Sequence, residues 1–362
     1  MTTPEVAIAD PRRRPMSFGE RLRAYSALAK LRIIELLLIT TVPAMVLAAG
    51  EWPDTWLVIA TLIGGTLSAG GANAINNYVD RDIDGEMRRT RHRPLPSERV
   101  GDREALIVGA VLGTGGFVFL WVTTNLLAAI LSTAALAFYV LIYSMVLKRT
   151  TSQNIVIGGA AGAVPVLVGW AAVTGTVELP AWILFAIIFY WTPPHFWALS
   201  LRYRADYERA GVPMLPVVAG EKITSIQIFL YSLLLVGISM LLHPVAGLGP
   251  VYLIAAGVLG VWFLIGGWRL ARDTRRAMLL FRDSNLYLAL LFAALALDVL
   301  IEGGPGDAAF PIVLMAAAVV AVSTVLIIAT TRPRPRTVLE IGYLAAPALG
   351  MVALLVFSFR AV

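Results

Sequence analysis

Long apolar runs, separated by short polar connections, restrict this chain more than any other feature. Eleven of them lie at 33–50, 55–79, 104–122, 125–147, 154–175, 181–201, 225–242, 248–268, 285–301, 309–330 and 341–359. Each approaches the ~20 residues that a bilayer crossing requires. Backbone groups in hydrocarbon must find their hydrogen bonds within the protein, so runs of this length predict helices. A membrane barrel would need alternating strands of about ten residues, and these runs do not alternate. The expected fold class is therefore all-α, a polytopic membrane helical bundle. Only 14% of the residues are charged, against about 25% in soluble proteins, which excludes a soluble enzyme. The absence of cysteine excludes disulfides, thiolate metal sites and covalent haem attachment. The three histidines, His92, His195 and His243, argue against a multi-histidine metal centre.

The 29 lysines and arginines sort the topology. Seven precede the first run (Arg12 to Arg32) and seven lie between the second and third (Arg81 to Arg103). Lys148 and Arg149 follow the fourth run, four cations (Arg202 to Lys222) the sixth, five (Arg269 to Arg282) the eighth and three (Arg332 to Arg336) the tenth. The odd-numbered connections hold none, and Arg360 stands at the C-terminus. Cytoplasmic loops are enriched in Lys and Arg, so this alternation predicts a multi-pass protein of the cell membrane with a cytoplasmic N-terminus. Residues 1–20 lack the short apolar core of a cleavable signal peptide and read as a flexible cytosolic tail.

Two cytosolic connections carry candidate chemistry. In the segment 71–96, GANAINNYVDRDIDGEMRRTRHRPLP, Asn73, Asn76, Asn77, Asp80 and Asp84 recur at helical spacing and share one face. The second run thus ends in a polar stripe aimed at the mouth of the bundle. Acids at such depth are costly unless paired or metal-bound, and they mark functional sites. Carboxylates four apart suit a hard divalent cation, and Mg²⁺ takes one or two of them together with substrate phosphates. Arg88, Arg89, Arg91 and Arg93 follow at once, in reach of phosphate oxygens. The bland alternative is a frayed helix end with local ion pairs. Asp82 and Glu86 fall on another face and read as solvated.

The second connection, 190–222, places Arg202, Asp206 and Arg209 at i, i+4 and i+7. It follows the sixth run as the first loop follows the second. If runs one to four and five to eight are diverged copies, the two loops are equivalent and face each other. Lys148 ends the fourth run and reads either as a snorkelling side chain or as a further phosphate contact. Pro193 and Pro194 predict a break in the sixth run that opens backbone toward a cavity. His195 beside them reads as a hydrogen-bonded helix residue, an axial haem ligand or a proton shuttle. The dense small residues of 63–75 and 156–175 read as close helix packing.

The segment NAINNYVDRDIDGEMRRTRHRPLP resembles the first aspartate-rich motif of the intramembrane aromatic prenyltransferases. The segments 148–175 and YWTPPHFWALSLRYRADYERAGVPMLPVV (190–218) are similar to those of one branch, the protohaem IX farnesyltransferases or haem O synthases. The likeness covers about residues 25–300. It implies nine helices around a central cavity. It also implies transfer of a farnesyl group from farnesyl diphosphate to a vinyl group of haem B, with addition of water, giving haem O. By motif, Asn76, Asp80, Asp84 and Asp206 would hold Mg²⁺ and diphosphate. Arg88, Arg91, Lys148 and Arg202 would clamp diphosphate, and His195 would bind haem. The second loop has Arg202 where the wider superfamily has a second aspartate. The implied organisation is a cytosolic tail (1–24), a prenyltransferase transmembrane domain (25–302) and an extension (303–362) with two further transmembrane helices. Membrane lipid is an implied partner, with a haem-A synthase or oxidase-assembly protein as candidate partner and no nucleic acid. A quinone-ring prenyltransferase and a membrane transporter are the alternatives.

Overall fold

The computed structural model describes residues 17–302. The two expected spans at 309–330 and 341–359 lie outside the described residues. Among the described residues every regular element is a helix. Helix α1 (Phe18–Ala29) leads into α2 (Leu31–Ala49) and α3 (Thr55–Val79), then the short α4 (Arg81–Glu86) and α5 (Asp102–Thr123). Helix α6 (Leu126–Ala137) continues through a π-helical segment (Phe138–Leu147) into α7 (Lys148–Thr150). Helices α8 (Asn154–Thr174) and α9 (Leu179–Arg202) follow, then the short α10 (Arg204–Arg209) and α11 (Leu215–Val218). Helices α12 (Gly220–Ala246), α13 (Pro250–Arg272) and α14 (Ala277–Glu302) complete the bundle. Eight helical stretches are long and apolar enough to cross a membrane, and Ile39–Ala49 is a shorter apolar piece.

Hydropathy locates these spans because each is long enough to satisfy its own backbone. Their ends follow local chemistry. Gly50 and Gly175 close α2 and α8 at φ 70° and 71°, a left-handed geometry that costs glycine nothing. Asp298, buried in α14, accepts from the backbone N–H groups of Gly249 and Tyr252 at 2.6 and 2.8 Å and so caps the start of α13.

Two expectations are corrected here. The N-terminal tail gives way to helix at Phe18, because Ser17 and Glu20 form a reciprocal capping box. The proline pair does not break the sixth run, and α9 is continuous through Pro193 and Pro194. A proline ring removes one donor and crowds the preceding turn. Here both rings are buried, and packing against α8, α12 and α14 holds the helix together.

Helices α9 and α12 are the most buried spans, while α5, the α6 run and α13 form the outside. Apolar side chains such as Ile107, Val111, Val118, Ile254 and Val258 stay exposed on those outer helices, as a lipid-facing surface requires. Helices α3 and α5 approach closely through small residues. A Cβ on Gly71 would lie 2.6 Å from the Gly113 nitrogen, so the contact is backbone on backbone.

Candidate active site

A cavity of about 570 Å³ occupies the centre of the bundle. It reaches from Asp80 at the end of α3 to Thr61 within the helix, about 28 Å along the axis at roughly 1.5 Å per residue. Most of its wall is apolar. The charged groups gather at the Asp80 end, where the connections after α3 and α9 meet α7.

The asparagine and aspartate stripe divides between two tasks. Asn73 and Asn77 donate from Nδ2 to the backbone carbonyls of Ala29 and Leu28, at 3.1 and 3.0 Å. They satisfy the last carbonyls of α1 and fasten it to α3. Asn76, Asp80 and Asp84 line the cavity, and Asn73 lies on the same wall. Asn76 Nδ2 donates to Asp80 Oδ2 at 2.7 Å and to Ser144 Oγ at 2.9 Å, and its Oδ1 accepts from Lys30 Nζ at 2.8 Å. Lys148 Nζ lies 2.6 Å from Asp80 Oδ2, and Arg93 Nη1 lies 2.5 Å from Asp84 Oδ2. Both carboxylates are buried, and Asp80 Oδ1 has no hydrogen-bond partner among the described residues.

Lys30 reaches this cluster from the joint between α1 and α2, where its own backbone is left-handed at φ 52°. Such backbone in a non-glycine residue is uncommon and concentrates at functional sites. Burial, and then the neighbouring Arg93 guanidinium, push the Lys30 ammonium down to about 7, while Asp84 and Asp80 oppose them. The π-helical segment contributes Tyr139 and Tyr143, stacked with centroids 5.4 Å apart, together with Ser144. Departures from α-helical winding of this kind recur at functional sites.

The arginine loop is placed differently from its sequence reading. Arg89 and Arg93 line the cavity, whereas Arg88 and Arg91 are exposed and stand off its wall. Asp84 and Arg93 are tied through Thr90, whose Oγ1 donates to the Asp84 carbonyl at 2.9 Å. The two loops do face each other. Arg89 lies 5.8 Å over the Tyr203 ring, and Met87 packs with Tyr207 and Met214 in one apolar cluster. Between them lies a cleft of about 340 Å³ lined by Asp82, Glu86, Arg149 and Arg209. Asp82 is not simply solvated. Arg149 grips it at 2.8 Å from both guanidinium ends, and that hydrogen bonding above all holds the carboxyl down at about 2.

In the second loop, Tyr207 lines the central cavity but Asp206 does not. The Asp206 carboxylate is buried against Arg209 Nη2 at 2.6 Å, and Arg202 is exposed. Among the described residues no three Asp, Glu or His side chains converge on one point.

His195 lies on the cavity wall, one helical turn beyond Trp191. Its imidazole is stacked between Trp191 and Phe281, with centroid distances of 4.3 and 4.4 Å, and its Nδ1 lies 2.8 Å from Ser284 Oγ. His92 is exposed in the arginine loop.

Sequence reasoning missed Lys30 and Tyr139 on the cavity wall, whereas Arg89 and Arg93 were read there as phosphate contacts. The readable signal for Lys30 was a cation three residues before the first apolar run.

Fold and site together define a helical membrane protein that offers paired acids and bases at the mouth of a long apolar chamber. The description of the UbiA prenyltransferase family matches residues 37–281, and the chain belongs to this family. It is 54% identical over 292 residues to protoheme IX farnesyltransferase 2 of Saccharopolyspora erythraea, covering 79% of this chain and 88% of that one. It is also 54% identical over 295 residues to the protoheme IX farnesyltransferase of a Nocardioides species, covering 79% and 94%. Among solved structures, one described as digeranylgeranylglyceryl phosphate synthase superposes with a TM-score of 0.64 at 20% identity, covering 77% of this chain and 99% of that one. A UbiA homologue from Archaeoglobus fulgidus, bound to GPP and Mg²⁺, superposes with a TM-score of 0.50 at 14% identity, covering 75% and 99%. These likenesses at low identity concern the fold.

Proposed function

We propose that this enzyme transfers the farnesyl group of farnesyl diphosphate to a vinyl group of haem B, with addition of water, giving haem O and diphosphate. The observation that carries the reading is the Asn76–Asp80–Lys148 cluster at the mouth of an apolar chamber. The relatives' names support the choice of farnesyl and protohaem as substrates.

The donor set fits Mg²⁺. Asp80 Oδ1 is a buried acceptor without a partner among the described residues, and Asp84 and Asn76 line the same wall. Two carboxylates and an amide leave the rest of an octahedral shell to water and phosphate oxygens. Asp206, the second-loop carboxylate now held by Arg209, is the further acidic group of this reading. Bound there, Mg²⁺ would act as a Lewis acid on diphosphate oxygens.

The side chains do the rest. Lys148, Lys30, Arg93 and Arg89 stand where diphosphate leaves, and fixed cations stabilise charge as it grows on the departing oxygen. Burial and then Arg93 hold the Lys30 ammonium below the ordinary lysine range, and an incoming diphosphate favours its charged form. The bond between the farnesyl C1 and the diphosphate oxygen breaks. The electron pair of the haem vinyl group forms a new bond to C1, and the apolar walls keep water from the allylic cation until then. Water then adds to the remaining carbocation and releases a proton. His195 with its aromatic neighbours is the haem-facing wall of this reading. Twenty-eight of the 29 cations fall on one side of the eleven-span topology, which supports a cytoplasmic position for the diphosphate end.

The test is incubation of membranes holding the full chain with haem B, farnesyl diphosphate and Mg²⁺, followed by mass analysis of the porphyrin. The expected product is haem O. Farnesylation of 4-hydroxybenzoate in place of haem would assign a quinone-ring enzyme, and flux across liposomes without diphosphate release would assign a transporter.

A further inference from the structure

His195 is held from three sides on the cavity wall, and the reaction above gives it no chemical step. Both faces of its imidazole are covered, by Trp191 at an interplanar angle of 19° and by Phe281 at 27°. Ser284, one turn along α14 from Phe281, meets its edge through Oγ at 2.8 Å from Nδ1. The same serine receives Trp191 Nε1 on its backbone carbonyl at 2.7 Å. Helix α14 thus grips the histidine and one of its stacking partners together.

Two hydrogen-bond schemes are open to this pair, and the cavity side of the ring chooses between them. Ser284 has one hydroxyl hydrogen, and in the first scheme Oγ donates it to the Phe281 carbonyl at 2.7 Å. Toward His195 the hydroxyl then only accepts, so Nδ1 carries the imidazole proton. The opposite tautomer would turn that hydroxyl toward Nδ1 and place a hydrogen on Nε2, which finds no acceptor among the described residues. With the proton on Nδ1, Nε2 holds a lone pair. It has no hydrogen-bond partner among the described residues, on a ring that lines the cavity. A neutral imidazole whose other nitrogen donates to an oxygen is the arrangement that metal-ligating histidines adopt.

We propose that Ser284 is a positioning residue that locks His195 in the Nδ1–H tautomer, so that Nε2 ligates the iron of a haem substrate. This rests on the haem reading given above and adds to it the donor atom and its orienting hydroxyl. Iron ligation would hold the macrocycle in one rotational setting, so that a chosen vinyl group meets the farnesyl C1.

The experiment compares haem B with metal-free protoporphyrin IX on the purified full chain, by absorbance titration without farnesyl diphosphate. The wild-type protein is expected to prefer haem and to show the spectrum of a nitrogen-ligated iron. Ser284→Ala should lower haem affinity about tenfold, as loss of an orienting partner does, and leave protoporphyrin affinity within about twofold. Ser284→Thr, which keeps the hydroxyl, should restore the preference. His195→Ala should abolish it. General loss of packing would weaken both pigments together and leave their ratio unmoved, which overturns the assignment. Equal binding of the two pigments by the wild-type chain overturns it as well, without need of any variant. Absence of haem O from the turnover assay would instead overturn the reaction, so the two failures are distinguishable.

Discussion

The two loops that face each other across the cavity mouth carry similar residues in opposite states. After α3, Asp80 and Asp84 sit on the cavity wall with Lys30, Lys148 and Arg93 drawn in around them. After α9, Asp206 folds back on Arg209 three residues away and leaves the wall to Tyr207 and Met214. Asp80 of the first loop takes its partner from another helix, Lys148, and Asp84 from Arg93 within its own loop, whereas Asp206 finds its partner within its own short helix. Buried charges need partners wherever they lie. The first site is therefore already assembled, and the second is latched.

The largest expected effect tests the assembled half. Asp80→Ala or Asp84→Ala should lower haem O formation by about 10³-fold, the several kcal/mol that a metal on a leaving group supplies. The protein should still insert, and wild-type turnover in either variant would remove the metal role. Asp206→Ala should cost on the order of 10²-fold in kcat/KM if the latched carboxylate joins the reaction. A variant that turns over like the wild type would make the second loop purely structural and the contrast between the loops complete. Next, Lys148→Ala and Arg93→Ala should each cost about tenfold to a hundredfold in kcat, whereas Arg88→Ala and Arg91→Ala should stay within about threefold of wild type because their side chains are exposed. Equal losses in the two pairs would show that the arginine loop rearranges on binding substrate.

The smallest effect concerns the outer pair that links the loop after α3 to α7. The Arg149 hydrogen bonds hold Asp82 at about 2 in the folded protein, against an ordinary value of 3.8. A depressed carboxylate stabilises the fold at pH values above its ordinary range, and the contribution fades as pH falls from about 4 toward 2. Thermal denaturation of the wild type and of Asp82→Asn should therefore differ slightly at pH 7 and converge near pH 2. A difference that persists in acid would mean that the pair does not act through its charge.

Much of this was legible in the sequence for a physical reason. Length and apolarity alone dictate helices in lipid, so nine of the spans read from hydropathy have helical counterparts in the described residues. Asn76, Asp80 and Asp84 could be placed on one face because α3 and α4 are almost continuous, with the Asp84 N–H still reaching the Asp80 carbonyl at 2.8 Å. That periodicity ends at Met87. Beyond it the irregular loop brings Arg89 and Arg93 to the cavity wall and keeps Arg88 and Arg91 off it, which no helical spacing encodes. The proline pair misled because intrinsic cost outweighed packing in the sequence reading, and the reverse holds inside the bundle. Ser17-x-x-Glu20 was a readable capping box within a stretch taken for tail.

The ten π-wound residues before Lys148 have a consequence for how the chain can vary. Each backbone bond there spans five residues instead of four, so the direction in which Lys148 emerges is set by the winding as well as by the count of residues from α6. Losing one residue between Phe138 and Leu147 would relax the coil toward ordinary pitch and swing the ammonium group away from Asp80. The segment thus acts as an angular spacer, which can lengthen or shorten only at the cost of disconnecting the two acid-bearing and base-bearing walls.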